Sequence, residues 1–257
     1  MRFASLGSGS SGNSMVIEQA STRLLLDCGF SVKETNARLA RLGLLPEDLT
    51  GILVTHEHDD HAKGAFKLAE KLNIPIWLSH GTRVMSERYM SNLPTVQVNV
   101  LDSHTAFVIN DIEITPFPVP HDAREPTQFV FSNGQHKLGV LTDVGATTPH
   151  IEFILSGCDA LVLECNHDLT MLENGPYSYA LKKRVGGGLG HLDNESAAQL
   201  LSKLDTSQLK HIIAAHLSAK NNTQALAKKA LSNVLNCEPD WIGIATQNDG
   251  FPWRACA

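Results

Sequence analysis

Short apolar runs alternate along the 257 residues with stretches whose apolar positions recur every three to four residues. Residues 2–6, 14–18 and 23–27 read as strands, and residues 32–42, apolar at helical spacing, as a helix. A short strand at 51–54, a helix at 64–72, a strand at 76–78 and a helix at 82–90 follow. The middle is strand-rich, at 95–100, 104–109, 112–119, 127–131 and 137–141, with turn signals at Asn110-Asp111 and Asn133-Gly134. Alternation returns in the last third, with strands at 160–164 and 209–215, helices at 180–185, 195–204 and 224–235, and a closing segment at 241–245. No repeat of fixed period and no compositional linker divides the chain, so residues 1–257 read as a single domain. Strands in two blocks, each bordered by helices, predict an α/β fold of two sheets packed face to face with helices outside.

Composition narrows the function classes. The chain is 42% hydrophobic, enough for one large core, and its formal charge of −6 provides no global basic field for a polyanion. A nucleic acid would have to be held by a local basic patch or by bound cations. No run approaches the length needed to span a bilayer, and the N-terminus carries Arg2 and small polar residues in place of an apolar leader. A soluble, cytoplasmic protein with no membrane partner is expected; protein partners are not indicated. The five cysteines, Cys28, Cys158, Cys165, Cys237 and Cys256, form no C-x-x-C pair and read as reduced thiols.

Chemistry concentrates at Thr55-His56-Glu57-His58-Asp59-Asp60-His61, where a buried strand ends and three histidines and three acids follow within six residues. Imidazole and carboxylate donors at this density suit zinc, iron or manganese. The alternative is a histidine-rich surface loop. His56 and His58, two apart in an extended turn, can point at one ion, and the adjacent pair Asp60-His61 at a second.

This segment resembles the H-x-H-x-D-H signature of the metallo-β-lactamase superfamily. Further motifs of that family match in order: Leu26-Asp27-Cys28-Gly29 after an early strand, Pro120-His121-Asp122 after a mid-chain strand, Thr142-Asp143-Val144-Gly145 after another, and Ala215-His216-Leu217-Ser218 after a late one. The resemblance implies a four-layer αβ/βα sandwich with a binuclear metal site at the edge of its sheets. It implies that His56, His58 and His121 hold one ion, that Asp60, His61 and His216 hold the other, and that Asp143 bridges them. Asp27 would orient the ligands from behind. Two divalent ions, zinc or manganese with iron as a third choice, would lie about 3.5–4 Å apart and share a water, so that hydroxide and not a side chain attacks. Asp60 thus counts among the catalytic groups as well as the ligands.

Further segments resemble the YycJ/WalJ-type branch, related to ribonuclease Z and ribonuclease J: the opening Leu6-Gly7-Ser8-Gly9-Ser10-Ser11-Gly12-Asn13-Ser14, then Glu164-Cys165-Asn166-His167-Asp168, Gly190-His191-Leu192-Asp193-Asn194, and His216-Leu217-Ser218 with Asn221-Asn222. This implies a phosphodiesterase or exonuclease with nucleic acid as substrate, DNA 5′ ends favoured, and Asn13, Ser218 and Asn221 as substrate contacts. The rival enzyme is a thioester or lactone hydrolase of the glyoxalase II kind, and a metal-bound sensor without turnover is the non-enzyme alternative. His167 and His191 are each either a phosphate contact or proton donor to the leaving group, or a partly buried histidine satisfied by a carboxylate. His191 also precedes a helix that could receive a phosphate at its N-terminus. Lys182-Lys183-Arg184, beside a triple glycine and near Tyr177 and Tyr179, is either a solvated helix face or a phosphate-binding cluster. The glycine-serine run 7–14 is expected to form a small-residue lip over the metal pair, with no P-loop ending.

Overall fold

The computed structural model describes residues 1–91, 93 and 95–256. The first half contains strands β1 (Arg2–Gly7), β2 (Ser14–Gln19), β3 (Thr22–Leu26), β4 (Gly51–Leu53), β5 (Ile76–Ser79) and β6 (Val98–Leu101). Its helices are α1 (Val32–Arg41), α2 (Asp59–Ala62), α3 (Ala65–Leu72), α4 (His80–Met85) and α5 (Glu87–Met90). The second half adds β7 (Phe107–Ile109), β8 (Ile112–Pro118), β9 (Thr127–Ser132), β10 (Lys137–Leu141), β11 (Ala160–Glu164), β12 (His211–Ala215), β13 (Gly243–Ile244) and β14 (Phe251–Ala255). Helices α6 (Pro149–Leu155), α7 (Leu169–Asn174), α8 (Tyr179–Val185), α9 (Asn194–Lys203) and α10 (Gln224–Leu235) complete it.

Two seven-stranded sheets result, ordered β14-β1-β2-β3-β4-β5-β6 and β13-β12-β11-β10-β9-β8-β7. Each is antiparallel at one end and parallel from β3 to β6 or from β10 to β13. The expected sandwich with helices on both outer faces is the observed architecture. Strand alternation explains why so many strand sequences are continuously apolar, since both faces of each sheet are covered. Leu24 and Leu26 of β3 join the core between the sheets with Phe129, Phe131, Val162 and Ile213, whereas Leu25 packs outward with Leu39 of α1 and Phe66 of α3. On the other sheet Leu161 and Ile212 turn outward, onto Ile151 of α6, Leu200 of α9 and Leu231 of α10.

Boundaries moved where local chemistry was overlooked. Helix is interrupted at Ser86, giving α4 and α5, and β7 begins only at Phe107 because Asp102 folds the preceding residues into a turn, accepting from His104 N and Thr105 Oγ1. The single turn α2, helices α6 and α7 and strand β14 are additional. Helices α6 and α7 are only seven and six residues long, too short for a clear period. Their caps are in the sequence all the same: Thr148 before Pro149, and Asp168. Strand β14 pairs with β1, more than two hundred positions away, so only the folded chain defines it.

Removing the Phe129 ring from the inter-sheet core is expected to cost ~3–5 kcal/mol, because the site lies between two rigid sheets and collapses poorly. Phe153→Ala on the exposed face of α6 should cost under ~0.5 kcal/mol. Equilibrium urea unfolding of the two variants measures the contrast, and equal losses would contradict this account of the core.

Candidate metal centre

The charged and histidine side chains singled out in the sequence gather at one edge of the sandwich, each just past the end of a strand. Asp27 follows β3, residues 55–61 follow β4, His121 follows β8, Asp143 follows β10 and His216 follows β12. Parallel strands direct their carboxyl ends to a common edge, where open α/β sheets hold ligands. Asp27, Asp143 and His216 adopt left-handed backbone, with φ of 59, 54 and 54°. Among the described residues the other non-glycine positions of this kind are three asparagines and Ala20. That conformation disfavours residues with a Cβ and is kept at a site only when surrounding structure enforces it. The close approach of Gly29 to this loop has a similar origin, because a Cβ there would stand 1.8 Å from Asp60 O.

Two clusters of donors converge. The ring nitrogens of His56, His58 and His121 form one, within 4.8 Å of one another, and Asp60, His61, Asp143 and His216 form the second. A third overlapping group, Asp143, Glu164, His191 and His216, extends it on the far side. The imidazoles are aimed by their other nitrogens. His61 Nδ1 lies 2.8 Å from Asp27 Oδ2, His121 Nδ1 lies 3.0 Å from Gly190 O, and His216 Nδ1 lies 3.2 Å from Glu164 Oε1. Carboxylates and carbonyls only accept, so each Nδ1 donates and each Nε2 is turned toward the cluster, where it offers a lone pair once the ring is neutral. Asp27 is itself fixed by Thr55, whose N–H donates to Oδ1 at 2.8 Å and whose hydroxyl donates to Oδ2 at 2.9 Å.

Two buried atoms at the centre, Asp143 Oδ2 and His216 Nε2, have no hydrogen-bond partner. His61 Nε2 approaches Asp143 Oδ2 to 3.1 Å without hydrogen-bond alignment. Buried polar atoms left unpartnered in this way, in a set of imidazoles and carboxylates, fit divalent cations of the zinc and manganese type.

The electrostatics agree with that fit. Burial alone would lower the His61 imidazole, but Asp143, Asp27 and Asp60 outweigh it and hold it well above its ordinary value. His216 is likewise pushed up to about 10, against burial, by Asp143, Asp60 and Glu164. Burial would raise the Asp143 carboxyl, but His216, His61 and His191 keep it well below its usual range. His56 behaves oppositely: burial and the neighbouring His61 hold it well below the ordinary imidazole value. Positive charge on His61 and His216 balances the buried carboxylates around Asp143, whereas burial holds the His56 and His121 imidazoles below their ordinary value, in the neutral form that coordinates.

The glycine-serine loop supports this centre from beneath as well as edging it. Ser8 Oγ accepts from His216 N at 2.9 Å and donates to Asn13 Oδ1, which also accepts from Gly9 N. The buried Asn13 amide reaches His61 Nε2 at 3.0 Å and Asp60 Oδ2 at 3.4 Å. Glycines at 9 and 12, with φ of 144 and 148°, allow the turn.

Among the other singled-out residues, His191 joins the centre: its Nδ1 lies 2.8 Å from Glu164 Oε1 and 3.6 Å from Asp143 Oδ1. It does not present a free helix N-terminus to a phosphate, because Asp193 already caps α9 by accepting from Glu195 N and Ser196 N. His167 stands outside the converging clusters, buried, with Nδ1 3.3 Å from Asn166 Oδ1. Ser218 Oγ accepts from Asn221 N within its own turn, and the buried Asn221 amide has no partner. The sequence pattern alone assigns no role to Glu164. Its signal was an acid closing a buried apolar strand, the same pattern that marks Asp27 and Asp143. Here Glu164 is fully buried, accepts from Val144 N at 2.9 Å, and spans His191 and His216.

The Beta-lactamase superfamily domain profile matches residues 22–213. The chain is 38% identical over 245 residues to "Exodeoxyribonuclease YycJ" of Bacillus anthracis, covering 95% of this chain and 93% of the relative. It is 34% identical to "Exodeoxyribonuclease WalJ" of Streptococcus pneumoniae, over 95% of this chain and 91% of the relative. Among solved structures, the metallo-beta-lactamase fold protein YhfI from Bacillus subtilis superposes with a TM-score of 0.75 at 15% identity, over 99% of each chain. No helix among the described residues is long and apolar enough to cross a membrane.

Zinc added to the metal-free protein at neutral pH is expected to release protons, because His61 and His216 must lose theirs to become ligands. The apparent affinity therefore rises with pH above neutrality, as the protons on His61 and His216 become easier to displace. Calorimetric titrations in two buffers of different ionisation enthalpy count the protons, and identical heats in both would contradict this charge balance.

Proposed function

This chain belongs to the Beta-lactamase superfamily, and from that premise we propose that it is a binuclear metal-dependent exonuclease that degrades DNA from 5′ ends. The observation that carries the proposal is the pair of donor clusters meeting at Asp143, in a chain aligned almost end to end with two exodeoxyribonucleases. In this reading His56, His58 and His121 hold one ion, Asp60, His61 and His216 the other, and Asp143 is shared. Zinc, manganese and iron suit these donors. A divalent pair supplies, when bound, an acidified water and positive charge opposite the phosphate oxygens.

The chain's own residues do the rest. Asp27, Gly190 O and Glu164 hold the ligand imidazoles in one tautomer, so that Nε2 faces the centre in each. In this reading His191 protonates the departing oxygen, a role supported by its Nδ1 being committed to Glu164, which leaves Nε2 to donate, and by its side chain being 21% exposed. Glu164 stabilises that imidazole as the proton is held, which is the part a buried carboxylate plays behind a general acid. Asn13 keeps Asp60 and His61 in place from below. The protein is expected to work in the cytoplasm, where DNA ends are met.

Incubation of the metal-loaded protein with 5′- and 3′-end-labelled single-stranded and duplex DNA, with RNA, and with acyl-glutathione tests the proposal. DNA should be shortened from the 5′ end, and turnover of the thioester alone would overturn the nuclease reading. His58→Ala should reduce DNA cleavage at least ~100-fold by removing a donor from the first cluster. Full activity of that variant would show that metal chemistry is not the function.

A further inference from the structure

The basic cluster at the end of α8 is divided by the fold into two jobs. Arg184 turns toward the candidate centre and pairs with Asp122, Nε to Oδ2, at 2.6 Å. Asp122 Oδ1 in turn lies 3.4 Å from His121 Nε2. Lys182 and Lys183 turn away, and neither meets a carboxylate in an ion pair among the described residues. Lys182 Nζ donates to the Glu173 carbonyl at 2.7 Å, and Lys183 Nζ sits 4.8 Å from the centre of the Tyr179 ring.

These side chains line a surface groove of about 580 Å³ between α7 and α8, together with Leu169, Leu172 and Gly186. Tyr179 is 72% exposed and Leu169 51%, so the groove offers a bare aromatic face and an apolar wall flanked by two amines. Glu173 is the one acid on its rim, leaving the groove net positive in a chain of charge −6. Gly186 puts no side chain between the groove and the buried His167, whose Nε2 has no hydrogen-bond partner and lies 3.9 Å from where a Cβ would stand. The groove is also tied rigidly to the centre. His191 N donates to Val185 O at 2.8 Å, Asp122 N donates to Leu189 O at 2.9 Å, and His121 Nδ1 donates to Gly190 O. From Val185 back to Tyr179 the helix rises about 9 Å, at about 1.5 Å per residue.

We propose that the groove between α7 and α8 holds the single-stranded DNA substrate beyond the bond being cut, with the Tyr179 ring stacked on a base and Lys182 and Lys183 on phosphates. The proposal rests on the nuclease reading above and adds to it where the strand lies. An exposed ring with adjacent amines is the combination that binds single strands without sequence preference, because every base has a π-face and every nucleotide a charge. The lysine over the ring keeps Tyr179 oriented before the strand arrives.

The test uses Tyr179→Ala and the double variant Lys182→Ser/Lys183→Ser, all changes at exposed or half-buried side chains. Binding of a fluorescein-labelled single-stranded oligonucleotide is followed by anisotropy across a salt series, in a His58→Ala background that does not consume the strand. Digestion of the same oligonucleotide, and hydrolysis of bis(p-nitrophenyl) phosphate, are followed with His58 intact. Tyr179→Ala should weaken binding and raise KM about tenfold. The lysine pair should flatten the slope of log affinity against log salt by about 0.7 for each residue removed. Hydrolysis of the small diester, which spans only the centre, should be unchanged. Unaltered binding, salt slope and KM in both variants, with the parent protein still digesting DNA, would overturn the groove alone. A parent protein that neither binds nor digests DNA would overturn the nuclease reading and the groove with it.

Discussion

Burying three carboxylates at the edge of a two-sheet core is the constraint on which this structure turns. Asp27, Asp143 and Glu164 are 3%, 2% and 0% exposed. An unpaired carboxylate in such a place costs several kcal/mol, so each must be met by donors or by positive charge. Thr55 and His61 meet Asp27; backbone amides of Val144 and Leu192, with His191 and His216, meet Glu164. Asp143 is left with an oxygen that no protein donor satisfies. The histidines thereby brought in cannot rotate freely, since one nitrogen of each is occupied. Their orientation toward a common point is a consequence of neutralising the acids.

The strands supply these groups at fixed positions. Parallel strands end at one edge, and left-handed backbone at Asp27, Asp143 and His216 turns each chain sharply, so that a residue immediately after a buried strand projects across the edge instead of continuing the sheet. The glycine-serine loop does the corresponding work from the opposite side, since its serine and asparagine bind backbone and side chains of the centre. Small residues are needed there because the loop passes beneath Phe30 and against Gln247, where Cβ atoms at Gly9 and Gly12 would lie 2.6 Å from existing atoms. Strain and tight packing at the site are offset by the cores on both faces of each sheet.

A chain of charge −6 can attract a polyanion only in small regions. Here the candidate metal centre and the α7–α8 groove are joined through the Arg184–Asp122 pair and the backbone hydrogen bonds of residues 185–191. Arg184 neutralises Asp122, which would otherwise place another negative charge beside His58 and His121. A cluster that looks uniform in sequence is thus divided between shaping the centre and facing solvent.

The sequence by itself determined the sandwich and marked most of the histidines and acids that cluster at its edge, because both leave local marks. Strands buried on two faces must be apolar at successive positions, and polar residues that are to converge must follow a strand closely enough for its end to position them, as in residues 55–61. The cap residues Thr148 and Asp168 also stand in the sequence, but the helices they start are too short to show a period, so the pattern alone does not reveal them. Only the tertiary structure decided what separate strand ends do to one another. The distance between Glu164 and His191 depends on two segments 27 positions apart. The exclusion of His167 from the clusters depends on the path of the chain after β11, and the division of labour between Arg184 and Lys183 on which face of α8 meets Asp122. Local pattern specifies which residues are buried or polar, whereas pairing between distant charges is set by the three-dimensional path that brings them within hydrogen-bond range.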